Sequence, residues 1–272
     1  MIELDKTSVF GLIIGIFVLG VGIVLKGVPI SALANSAAIL IIILGTAAAV
    51  IIAFPSYEIK RVPKLLKILF TEQKKMNKVE LINMFSDWAQ TARREGILVL
   101  EKKIAELEDP FLKNGMYLAI DGKTPDYIRE VLLAEIEAME ERHETGAKIF
   151  SQAGTYAPTL GVLGAVVGLI AALGEMNDTE TLGQAISAAF IATLLGIFTG
   201  YVLWHPFANK LRRKSKQEIQ LKMMMIEGIL SIIEGEAPKE IEQKLLSFLP
   251  AKERRAFIEE SRDHNNAYTK TT

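Results

Sequence analysis

Two prolines and one threonine are the residues of chemical interest in the apolar half of this chain. Pro158 and Pro206 stand near the ends of two uncharged segments, residues 149–174 and 181–209. Glu175, Asp178 and Glu180 make the connection between them acidic. Each proline removes a backbone donor and crowds the carbonyl four residues earlier, here that of Gly154 and of Val202. In lipid such freed groups need a partner or water. A lone proline is often only a tolerated bend. Two at corresponding ends of adjacent antiparallel helices are expected at similar depth, where they can flex as a pair. Thr193 stands near the middle of the second segment. Its hydroxyl either bonds back to its own helix or lines a wet path. No Asp, Glu, Lys or Arg lies within the apolar spans, although an ion path normally needs an ionisable group at depth. His205 is the exception, and it falls at the inner edge beside Trp204. If ions cross here, another chain must supply the carboxylate.

Small residues surround these positions. Gly154, Ala157, Gly161, Gly164, Ala165, Gly168 and Ala172 recur every three or four places and form one helix face. Ala185, Ala189, Ala192, Gly196, Thr199 and Gly200 make a similar face on the next segment. The pairs Gly164/Gly168 and Gly196/Gly200 have the spacing that lets helices approach closely in lipid. Such faces either pack the spans of one subunit together or accept helices of other subunits. The second reading is the expectation carried forward.

The elements that must hold these residues follow from hydropathy and charge. Half of the 272 residues are hydrophobic, more than a soluble domain of this length usually carries. The net charge of −1 argues against a nucleic-acid partner. The chain has no cysteine and three histidines, which removes thiol chemistry and leaves a histidine metal cluster unsupported. Residues 7–25 form a first uncharged run. A signal peptide is excluded because Glu3, Asp5 and Lys6 replace the expected positive leader. The predicted architecture is an all-α integral membrane protein with four transmembrane helices, at residues 7–25, 36–54, 149–174 and 184–207. Residues 26–35 and 175–183 are the external loops, with Pro29 and Asn35 in the first turn. A helical cytoplasmic domain fills 55–148, and a helical cytoplasmic tail 208–272.

Basic residues set the expected orientation. Lys60, Arg61, Lys64 and Lys67 follow the second span, and Lys210, Arg212, Arg213, Lys214 and Lys216 follow the fourth. Both termini, residues 1–6 included, are therefore placed in the cytoplasm of a multi-pass cell-membrane protein. Trp204 and Tyr57 are expected near the inner interface. In the cytoplasmic part, Leu81, Ile82, Phe85, Trp88, Ala89 and Ala92 make a helical stripe over 79–100. Asp109-Pro110 and Thr124-Pro125 are helix starts. The helix from Pro125 meets no breaker before Gly146 and can run into the third span. The tail has an amphipathic piece at 223–233, a helix leading to Pro250 and a polar end, 263–272, expected to be disordered. No Gly-rich phosphate loop or nucleophile motif occurs, so neither an enzymatic activity nor a cofactor is expected.

The segment AGTYAPTLGVLGAVVGLIAAL, then ISAAFIATLLGIFTGYVLWHPFANKLRRKS, resembles the flagellar motor stator proteins of the MotA/TolQ/ExbB proton channel family. ALANSAAILIIILGT and WAQTARREGILVLEKKI extend the resemblance over nearly the whole chain. It implies a ring of subunits, a pentamer, around two copies of a MotB partner whose aspartate binds the ion. It also implies torque delivered to the rotor protein FliG. Pro158 and Pro206 match the family's two functional prolines, and Thr193 matches its span-four threonine. Ala165 stands where sodium-type relatives carry threonine, which implies H+ as the transported ion. Arg93 and Glu101 match the charged pair that faces the rotor. Being eight apart, they are expected to share a broad helix face. The competing readings are an ExbB- or TolQ-like energiser of envelope transport, usually three-span, and a non-conducting membrane scaffold.

Overall fold

A computed structural model describes residues 4–28, 30–72, 76–174 and 179–259. The acidic connection at Glu175 and Asp178, Pro29 and the polar end lie outside the described residues. The described chain is helical, with one isolated antiparallel bridge between Leu4 and Thr71. Four of its helical stretches are long and apolar enough to cross a membrane: Lys6–Leu25, Ser36–Ala53, Pro125–Leu173 and Thr179–Ile233. The chain divides into two compact units, residues 1–73 with 141–214, and residues 74–140 with 215–272.

The first unit holds the apolar helices. Helix α1 (Lys6–Leu25) buries none of its residues and exposes Phe10, Ile13, Phe17 and Val18. A helix that is apolar on every side belongs in lipid. Helix α2 (Ser36–Ala53) is also apolar all round, and buries one line of residues, Ala38, Ile42, Thr46 and Val50. Their four-residue spacing is one helix face. Asp5 and Asn35 cap the two helices by accepting from Ser8 N and Ala38 N. Two short helices follow, α3 (Ser56–Ile59) and α4 (Val62–Phe70). Leu69 of α4 is fully buried with Ala147, Phe150, Ala208 and Leu211.

In the second unit the predicted stripe forms the core. Helix α5 (Lys78–Glu95) buries Leu81, Ile82, Phe85, Trp88 and Ala89. It stops at Gly96, whose φ of +87° costs a glycine little. A 3-10 turn (Ile97–Leu100) and the short helix α6 (Glu101–Ala105) come next. The predicted single helix over 79–100 is therefore broken, and Arg93 and Glu101 stand on separate elements rather than on one helix face. Arg93 is in the last turn of α5, Glu101 opens α6, and both are exposed. Helix α7 (Pro110–Ile120) starts as expected, with Asp109 accepting from Leu112 N at 2.9 Å.

Helix α8 (Pro125–Leu173) runs unbroken for 49 residues. At 1.5 Å per residue that is more than twice the roughly 30 Å of a bilayer's hydrocarbon, so only part of it can be membrane span. Helix α9 (Thr179–Phe198) passes through a π turn (Thr199–Trp204) into helix α10 (His205–Ile233). Met224, Met225, Ile226, Ile229 and Leu230 of α10 join the core of the second unit. Helix α11 (Pro238–Leu246) adds Ile241 and Leu245.

Candidate functional site, the proline-bearing hairpin

The candidate site is the antiparallel pairing of α8 with α9 inside the first unit. Its closeness depends on glycine. A Cβ on Gly161 would stand 2.8 Å from the Ala192 carbonyl oxygen and 2.9 Å from the Gly196 Cα. A Cβ on Gly196 would stand 2.8 Å from both the Ala157 oxygen and the Gly161 Cα. The obstacles are backbone atoms, so no rotamer change relieves them. Gly164 and Gly168 differ: their nearest neighbours, at 3.7 and 4.0 Å, include the Cβ atoms of Ala192 and Ala189. Packing within one subunit thus uses up the faces around Gly161, Gly196 and Gly200, which were expected to receive other subunits. Side chains on other sides of α8 stay exposed, Val162, Leu163, Val166, Val167 and Ile170 among them.

The same contacts fix the register. Gly161 meets Gly196, Gly164 meets Ala192, and Gly168 approaches Ala189. Ala165 and Thr193 each lie one residue from the Gly164–Ala192 contact, in opposite directions along the antiparallel pair, and so stand within about 3 Å of one level. Ala165 is buried and Thr193 is half-buried. The Thr193 hydroxyl donates to the Ala189 carbonyl at 3.3 Å, which is the back-bonded arrangement. Its oxygen keeps acceptor capacity for a further donor.

Pro158 and Pro206 are not level. A Cβ on Gly200 would stand 2.7 Å from Pro158 Cγ and 2.8 Å from the Gly154 carbonyl oxygen. Gly200 thus lies against both Pro158 and the carbonyl that this proline frees. Pro206 comes six residues later, roughly 9 Å further along at helical rise. Phe207 beside it meets the Phe150 ring, with centroids 6.4 Å apart. The expected similar depth fails because glycine contacts set the register, not proline positions. The two prolines also differ locally. Pro158 sits within the continuous helix α8. The backbone before Pro206 widens into the π turn, where His205 N donates to the Gly200 carbonyl. Such insertions relieve a blocked helical ladder and often mark functional sites.

His205 is half-buried. Its ring lies 5.3 Å from that of Tyr201 and covers the position a Gly154 side chain would need. Trp204 is packed by Phe150 and Phe207, and its indole N–H is buried without a partner. Trp204 as a whole is half-buried, whereas Tyr57 is 61% exposed. The Thr46 hydroxyl on α2 is likewise buried and unpartnered. Unpaired polar atoms inside an apolar region are costly and uncommon.

Sequence reasoning missed one cluster. Asp5 is only 8% exposed. Lys210 Nζ lies 2.9 Å and Lys214 Nζ 3.1 Å from its Oδ2. Thr7 Oγ1 and Ser8 N donate to its Oδ1. Burial alone would raise its pKa. The donors from Lys210, Thr7, Ser8 and Lys214 overcome that and hold the carboxyl well below the usual carboxylate range. The available signal was an acid just before an apolar run and two lysines four apart on a later helix. A second pair, Arg212 with Glu144 at 2.8 Å, is more exposed. Hydrogen bonding from Arg212 holds the Glu144 pKa down. Among the described residues no group of three or more His, Asp or Glu side chains could hold a metal.

Known proteins share this arrangement. Residues 103–224 match the MotA/TolQ/ExbB proton channel family. Motility protein A of Bacillus subtilis is 64% identical over 262 residues, covering 96% of this chain and 97% of that one. The fold is similar to the structure of the flagellar MotAB stator complex from Bacillus subtilis, with TM-score 0.90 and 65% identity over 93% of this chain and 99% of that one. It is also similar to C. jejuni MotAB, with TM-score 0.86 and 32% identity over 91% and 96%. A likeness this complete covers both units and the proline-bearing hairpin, and the chain belongs to the motility protein A branch of the MotA/TolQ/ExbB proton channel family.

Proposed function

We propose that this chain is a stator subunit of the bacterial flagellar motor and works with a MotB partner to turn an ion gradient into torque. The near full-length likeness to the chain of a MotAB stator complex carries this reading. The hairpin chemistry agrees with it. The described spans hold no carboxylate at depth, so the ion-binding acid must come from the partner, whose helix would lie against the exposed apolar side of α8. Several subunits, a pentameric ring, would surround a MotB pair. Both termini would be cytoplasmic in the cell membrane, since the basic residues follow the second and fourth spans. The protein is not an enzyme. It handles H+ and needs no cofactor, because Ala165 has no hydroxyl to offer a sodium ion that sheds its water.

The mechanism follows from charge at depth. A carboxylate in the membrane is costly unless water or hydroxyls reach it. Thr193, within a helical turn of the level of Ala165, keeps an acceptor for that proton traffic. Neutralising the partner's acid changes which face of the hairpin it prefers, and releasing the proton inward restores the first preference. Each charge moved is worth about 2.3 kcal/mol per 100 mV, enough to switch between two packings. Pro158 and Pro206 serve as two flex points in series, separated along the hairpin. Arg93 and Glu101, on separate elements flanking Gly96, contact the rotor protein FliG.

Co-expression with MotB tests this reading. Unblocked complexes in vesicles are expected to admit protons when a potential is imposed, and Thr193→Val to lower that flux with the complex still assembled. Proton flux equal to that of empty vesicles would remove the reading.

A further inference from the structure

Asp5 is a nearly buried charge that the mechanism above does not use, and three helices converge on it. It caps α1, and its backbone N–H donates to the Phe70 carbonyl at 2.9 Å, at the end of α4. From α10 it receives Lys210 and Lys214. Lys214 also donates to the carbonyls of Ile68 and Thr71, each at 2.7 Å, and of Leu69 at 3.3 Å. One ammonium group thus closes the C-terminal end of α4, where cations are favoured, and the Asp5 carboxylate together. The contrast with other ion pairs is large. Asp5 and Lys214 side chains are 11% and 14% exposed, whereas Lys103 and Asp87 are 46% and 61% exposed. Exposed pairs contribute little to stability. Removing one partner of a buried pair leaves an uncompensated charge.

The node is placed beside the π turn. Lys210 follows Pro206 by four residues, so the two share a face of α10. A cavity of about 430 Å³ lies against that face, bounded by Thr7, Ser8, Leu12, Val202, Pro206 and Lys210 among others. Pro206 itself is exposed. The proline therefore borders open space, and the far wall of that space is the start of α1, which Asp5 holds.

We propose that Asp5 is a positioning residue for the Pro206 flex point: with Lys210 and Lys214 it clamps the base of α10 to the ends of α1 and α4, so that bending at the π turn moves the apolar part of α9 against a fixed base. This rests on the stator reading and on Pro206 acting as a flex point. Without the clamp, α10 follows the bend, and part of each proton-driven step is lost as slack. Coupling falls although the ion path is intact.

The test compares Asp5→Asn, Lys210→Gln and the unaltered chain, each co-expressed with MotB. Asparagine retains the N-cap, and Lys210→Gln leaves the Lys214–Asp5–α4 contact in place, so one variant remains informative if the other fails to insert. Three quantities are read: membrane amount, proton flux of unblocked complexes, and torque per stator unit from stepwise bead speeds. The expected result is torque per unit lowered about twofold or more, with flux per complex unchanged. Because the chain has no cysteine, Asp5→Cys with Lys210→Cys can be bridged by a short reversible thiol cross-linker. Bridging is expected to restore torque, and reduction to remove it again. Unchanged torque per unit, or flux and torque falling together, overturns the proposal. So does a bridge that restores nothing. If the unaltered chain itself yields no torque with MotB, the stator reading fails and the clamp with it.

Discussion

Replacing Gly196 by alanine isolates the contact on which the hairpin depends. The new Cβ would lie 2.8 Å from the Ala157 oxygen and from the Gly161 Cα. Carbon–carbon contacts are optimal at about 3.5–4.0 Å, so the helices must separate locally by roughly 0.7–1.2 Å at this point. Overpacking of this kind costs about 1–3 kcal/mol. Lipid offers no hydrophobic drive to press the helices back together. Alanine also gains about 0.8–1 kcal/mol of helix propensity over glycine, which opposes the clash. Gly168→Ala carries the same gain without the clash, because its nearest neighbour is 4.0 Å away. The difference between the two variants cancels propensity and leaves the contact. Thermal unfolding of the complex in detergent reads it, with Gly168→Ala at or above the unaltered chain and Gly196→Ala below Gly168→Ala. The expected separation is about 2–4 °C per kcal/mol for chains of comparable size. Equal melting of the two variants would refute the packing argument. A destabilised Gly168→Ala with an unaffected Gly196→Ala would show that the register is wrong.

Further expectations can be checked separately. Thr193→Val removes the donor to Ala189 and the spare acceptor, so proton flux should fall more than complex yield, as measured in vesicles and by co-purification. Arg93→Glu should reduce torque while leaving membrane insertion unchanged; because Arg93 is exposed, the contact with FliG proposed for it should also weaken at high salt, read from binding to FliG. For Asp5 the folded pKa is depressed, so its stabilisation is fully present above the unfolded value, about 3.9. It is lost only as pH falls from there toward the lower folded value. Melting of the unaltered chain and Asp5→Asn should therefore differ by a constant amount from neutral pH down to about 4, and converge below it.

The spans were legible because uniform apolarity is a local property. So were the starts of α7 and α8, where a capping residue and a proline sit side by side, and the buried stripe of α5. What escaped depended on contacts far apart in the chain. The prolines looked level because each ends an apolar segment. Their true offset is set by Gly161 meeting Gly196, which segment ends do not encode. The π turn before Pro206 is one of several ways to relieve a proline clash, and packing selects among them. In the sequence Asp5 shows only as a charge that excludes a signal peptide, since its lysines are some 200 residues away. The break at Gly96 was readable: glycine directly after Arg93, Arg94 and Glu95 is a helix-ending pattern. Eight-residue spacing concealed it, because Arg93 and Glu101 fall on one face only if the helix continues.

Rotation under separately imposed gradients tests the central claim most directly. Cells lacking their own stators would express this chain with its MotB partner, and tethered-cell rotation would be followed while the proton and sodium gradients are varied independently. The account predicts rotation that tracks the proton gradient and ignores sodium. Rotation that follows sodium would contradict the role given to Ala165, and absence of rotation under either gradient would contradict the account as a whole.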